Sequence, residues 1–144
     1  MSREIKFRAW DKLTRIIVPY EEMSCHESKF EYGRRALLSG FLQNPDYEVM
    51  QFTGLKDKNG VEIYEGDIVN GVFETSDDWQ TYKSPYKKLR VTYNNEYACF
   101  TTCSTISNEP KHPFENYLNF LYQLTEIEVI GNIFQNPELL EDSK

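Results

Sequence analysis

Three groups of side chains in this sequence are of types that can do chemistry. Glu62, Glu65 and Asp67 crowd around Gly66. Two carboxylates brought together can exchange a proton or hold a divalent cation. The same residues are also ordinary turn chemistry, and strand alternation would leave Glu62 in solvent. Just before them, Asp57-Lys58-Asn59-Gly60 has the opening of a calcium loop. It lacks the further acidic positions and the closing Glu of one.

Cys99, Cys103 and His112, taken with Cys25 and His26, are zinc-ligand types. Their spacing does not suit a zinc knuckle. On one strand Cys99 and Cys103 would stand about 13 Å apart at ~3.3 Å per residue, too far to share a metal. A Cys–His nucleophile pair lacks any accompanying local signature. Small, half-buried thiols are the simpler reading, and neither a metal site nor a cofactor is expected.

Trp79, Tyr82, Lys83, Tyr86, Lys87, Lys88 and Arg90 form a basic-aromatic interval. Aromatic rings stack on bases and cations meet phosphates, so a single-strand nucleic-acid binder could use such a stretch. The bland alternative is a solvated loop feeding a strand, its lysines balanced by Asp77 and Asp78. Net charge of −7 weighs against a phosphate polymer as partner. Ten Tyr, nine Phe and two Trp are more aromatic surface than one small core readily hides. Tyr and Trp are frequent at contact surfaces, so a protein-interaction module, self-associating or binding another protein, is the competing expectation.

The elements that must position these groups are mostly strands. Residues 3–10 alternate, with Ile5, Phe7 and Ala9 on one face and Trp10 at the end. Residues 15–20 read as the hairpin partner, limited to an edge by Pro19. Residues 21–46 are polar and mixed, and read as an irregular insertion. Residues 50–69 carry the clearest pattern: strand, a hairpin loop at 57–60, a short strand, a turn at 65–67 and a β-branched run. Closely spaced turns hold short strands in one curled sheet, the geometry of a small barrel. The strand from Val69 runs to Glu74 with a bulge expected at Gly71. Residues 75–85 read as a long polar loop. Residues 88–93 and 97–103 form a second hairpin about a turn at 94–96. A helix is expected over 114–124, then a strand over 126–134, central and covered on both faces. Asn136-Pro137-Glu138 reads as a helix start, and residues 141–144 as a tail.

At 144 residues the chain can bury a real core. No stretch approaches the roughly 20 apolar residues of a membrane span, and the N-terminal segment lacks a secretory apolar region. Three cysteines do not make a disulfide framework. No repeat or linker divides the chain. The expectation is one cytoplasmic domain, mainly β: a small, partly open antiparallel β-barrel with one or two short helices.

Three stretches, REIKFRAWDK, QFTGLKDKNGVEIYEGDIV and EVIGNIFQNPELL, resemble the YopX family, and the likeness runs from one end of the chain to the other. These are small proteins carried mainly by bacteriophages and prophages of Gram-positive bacteria. The resemblance implies a β-rich, barrel-like fold and a phage or prophage origin. It brings no established activity, so no catalytic residue is carried over. The expected partners are then a host or phage protein, or further copies of the chain, in the bacterial cytoplasm.

Overall fold

The computed structural model describes residues 4–25, 38–96, 98–104 and 124–140. The helix expected over 114–124 lies outside them except for Leu124, as does the tail at 141–144. The described chain is mainly β, in antiparallel sheets with short helices, as the sequence led us to expect. Its contacts fall into two compact units, Met1–Phe52 and Thr53–Lys144.

In the first unit, β1 (Phe7–Asp11) lies between β2 (Ile16–Val18) and the start of β3 (Tyr47–Lys56), antiparallel to both. The β1–β2 hairpin is closed by Asp11, whose carboxylate accepts hydrogen bonds from the Leu13 and Thr14 amides at 2.9 and 3.2 Å. Arg15 completes the turn with a φ of 58°. Phe7 and Ala9 face the core as alternation requires, but Trp10 is buried too, and Ile5 precedes the strand and stays exposed.

Pro19 ends β2 and starts a helix in place of a ladder. Its carbonyl accepts from the Glu22 and Met23 amides, opening α1 (Tyr20–Cys25). A second short helix, α2 (Leu38–Gln43), follows. The stretch expected to be an irregular insertion thus contains two helices. Each contributes one fully seated apolar side chain, Met23 and Phe41, to a cluster with Ala9 and Val18. Each helix has only six residues, too few for a repeating apolar period to read. The Phe41 and Tyr47 rings meet edge to face, centroids 4.9 Å apart.

In the second unit, the end of β3 runs beside β4 (Glu62–Tyr64). The Asp57 amide bonds to the Val61 carbonyl at 2.8 Å, closing the hairpin, and Gly60 takes the positive φ (82°). Gly66 turns the chain again with φ 87°. A side chain there would be strained, and the residue is buried. Its N–H donates to the Val91 carbonyl and its carbonyl accepts from the Ile133 N–H, both at 2.9 Å.

The main sheet has the order β7 (Cys99–Ser104), β6 (Thr81–Asn94), β5 (Asp67–Ser76), β8 (Leu124–Asn132), all antiparallel. The register does shift beside Gly71, but the extra residue is on β6, where the three steps from Leu89 to Tyr86 oppose the two from Val69 to Gly71. The long loop expected over 75–85 is not there. β5 and β6 stay paired out to Ser76 opposite Thr81, leaving Asp77 to Gln80 as the turn. Polar residues on both faces hid this ribbon, because a solvated two-stranded arm has no apolar alternation. β8 lies at the end of the strand order among the described residues, not at the centre. Its outer edge is met instead by the 57–60 loop, where the Lys58 amide bonds to the Ile127 carbonyl at 2.9 Å. Ile63, Val69, Leu89, Val91, Phe100, Leu124 and Ile127 form the core.

The last described element is a 3-10 helix, Pro137–Leu140, where a helix start was expected. The Asn136 side chain does not cap it. It reaches back to accept from the Asn132 amide at 3.2 Å.

Candidate functional site

The basic-aromatic residues share one strand and its turn, but β-sheet geometry sends them to different places. Trp79 sits in the β5–β6 turn and is 93% exposed. The turn beneath it is built by Asp77. Its carboxylate accepts from the Trp79 and Gln80 amides at 2.9 and 2.8 Å, and its own amide donates to the Gln80 carbonyl at 3.0 Å. These amide donors hold the Asp77 carboxyl below its ordinary pKa, against a smaller opposing effect of burial.

Tyr82 is exposed and pairs with Thr75 near the same end. Lys83 stands opposite Glu74 in register and forms an ion pair with it at 3.1 Å. The Glu74 hydrogen bond and charge raise the Lys83 pKa, with a further contribution from Glu126. Tyr86 lies opposite Gly71 and packs against the core. Strand alternation puts Lys83 and Lys87 on the other face from Tyr86. At Lys88 the backbone takes a φ of 54°, and its amide donates to the Asn70 side chain at 3.0 Å. Arg90 is half-buried beside Ile68, about 25 Å along the strand from Tyr82 at ~3.3 Å per residue. The sheet thus gathers Trp79 and Tyr82 near the acidic turn and separates them from Tyr86 and Arg90.

Two of the three carboxylates around Gly66 are committed to the fold. Asp67 is buried and accepts from the Tyr64 amide at 2.8 Å. Glu62, expected in solvent, is half-buried and accepts from the Tyr64 hydroxyl at 3.3 Å. Glu65 is partly buried, which raises its pKa. Of the cysteine–histidine set, only the Cys99 side chain is described; it is a free, half-buried thiol. His26 and His112 lie outside the described residues. Among the described residues, no three of His, Cys, Asp and Glu are grouped to hold a metal ion, and no helix is long and apolar enough to cross a membrane.

The family model of the YopX protein matches residues 6–141. The chain belongs to the YopX family. The crystal structure of protein EF1440 from Enterococcus faecalis is similar to this YopX protein, with 28% identity and a TM-score of 0.51. The likeness covers 97% of this chain and 100% of that one. None of the curated proteins matches it.

One residue of this YopX protein has a role that its sequence pattern did not reveal. Asp57, read as a loop residue, is buried, and its carboxylate accepts three backbone N–H bonds. Two come from its own hairpin, Asn59 and Val61, at 2.8 and 2.9 Å. The third comes from Val129 on β8 at 3.0 Å. An Asx-type turn is legible in the sequence as Asp-Lys-Asn-Gly. The β8 partner, far away in the chain, leaves no local signal.

Proposed function

We propose that this YopX protein is a phage or prophage accessory protein that acts by protein contact rather than by catalysis, in the cytoplasm of the bacterial host. The observation that carries this reading is the apolar surface left in solvent. Trp79, Leu13 and Leu42 are 93, 76 and 62% exposed, although each is a side chain that gains by burial. Large exposed aromatic and aliphatic groups are the anchors from which interfaces are built. Asp67 and Glu62 beside Gly66, by contrast, already serve the backbone and the neighbouring tyrosine. Contact with further copies of the chain is part of the proposal.

Size-exclusion chromatography with light scattering, combined with affinity capture from the producing cells, tests it. The expected result is a mass above that of the monomer or a stoichiometric protein partner. A clean monomer at high concentration, with nothing captured, overturns the reading.

A further inference from the structure

The β5–β6 turn has three properties of a docking tip. The first is an indole almost wholly in solvent, on Trp79. The second is a backbone already ordered beneath it by the Asp77 side chain. An anchor on a preformed turn loses little freedom on binding. The third is charge. Asp77 and Asp78 precede the indole directly, while Lys83, further down the ribbon, is paired with Glu74.

We infer that this turn docks a different protein, one that offers an apolar pocket for Trp79 with a rim of lysine or arginine. The inference rests on the protein-contact reading above and names its surface and the chemistry of its partner. Trp is the side chain that most often dominates an interface when a pocket closes over it. Flanking carboxylates are matched by a basic rim and repelled by an acidic one. A second copy of the chain, with net charge −7, is a poor electrostatic match. Phosphate polymers are repelled by the same two carboxylates. Addition of a third strand to the ribbon is opposed at Pro85, which has no N–H to donate.

The test is photo-crosslinking in the producing cells from full-length chains with p-benzoylphenylalanine replacing Trp79 or, separately, Leu42. The expected result is a crosslink from position 79 to one protein other than the chain itself. With that protein purified, Trp79→Ala raises Kd about thirtyfold or more, as hot-spot truncations do, and Asp78→Lys weakens binding more at low than at high salt. Crosslinking of position 79 to another copy or to nucleic acid overturns the inference, as does affinity indifferent to Asp78→Lys. Crosslinks from position 42 alone overturn the tip and leave the protein-contact reading standing. No crosslink from either position, with a monomeric mass in solution, overturns both.

Discussion

The Asp57 carboxylate accepts a hydrogen bond from the Val129 amide at 3.0 Å across 72 residues of chain. This bond joins the tip of the most legible hairpin in the sequence to the outer edge of β8. The Lys58–Ile127 backbone bond and a Lys58–Glu128 ion pair at 3.4 Å reinforce the same seam. An edge strand with unpaired amides invites unwanted pairing. Here a loop side chain serves as part of the missing strand.

Asp57→Ala leaves three backbone donors without their acceptor. It should cost about 1–3 kcal/mol in urea denaturation. Asp57→Asn sets an amide group where an acceptor is needed and should lose part of the same stability. Burial by itself would raise this carboxyl's pKa, but the three backbone donors and Lys58 outweigh it, and the net shift is down. The sign follows directly. The stabilisation is complete above the unfolded value of 3.8 and disappears as pH falls through the depressed folded value. The wild type should lose stability steeply from about pH 4 downward, and Asp57→Asn less steeply. Parallel pH profiles for the two proteins would show that Asp57 is not the titrating group.

Glu65 runs the opposite way, because burial raises its pKa above 4.5. The raised group favours folding below its unfolded pKa, and that contribution fades as pH rises through the folded value. At neutral pH the charged carboxylate is therefore a small liability. Glu65→Gln should raise the denaturation midpoint near pH 7 and leave it almost unchanged near about pH 4. An equal effect at both pH values would mean that packing, not ionisation, governs this position.

A Cβ built on Gly131 would stand 2.5 Å from the Asn136 side-chain oxygen and 2.9 Å from Leu139 Cδ1. Asn136 cannot simply swing aside, since that oxygen accepts from the Asn132 amide. Gly131→Ala should destabilise by about 1–3 kcal/mol through overpacking. In the Asn136→Ala background it should cost less, with a coupling of about 0.5–3 kcal/mol by double-mutant cycle. Strict additivity would place the clash elsewhere.

Phe41 tests the helices of the first unit. It is 1% exposed, packs with Ala9, Val18 and Met23, and meets the Tyr47 ring. Phe41→Ala should cost about 3–5 kcal/mol. Hydrogen exchange should show the loss of protection in α2, β1 and the start of β3. A loss under about 1 kcal/mol would mean that α2 contributes little to this core.

The strands were legible where one face is apolar and turn residues bracket the run. Ala9 in β1 sits on the face that alternation gives it, and Ile63 in β4 and Val91 in β6 are buried within the runs read as strands. The glycine turns at Gly60 and Gly66 were legible too, because few other residues accept their φ without strain. The arm that ends at the Ser76–Thr81 pair was not, since it is held by the β5–β6 ladder, with exposed cross-strand pairs such as Glu74–Lys83, and shows no burial pattern. The helices α1 and α2 were not legible because six residues are too few to show a helical apolar period.

By itself, then, the sequence determined that this YopX protein is a mainly β chain, where the bends at Gly60 and Gly66 fall and which aromatic and charged residues it has to use. Local steric preference and period-two patterning act between near neighbours, so they can be read along the chain. Tertiary structure alone decided that Trp79 faces solvent while Tyr86 faces the core, and that Asp57 serves β8. Those outcomes depend on which strand lies alongside, through hydrogen bonds between residues distant in sequence, and nothing in the local pattern encodes the neighbour.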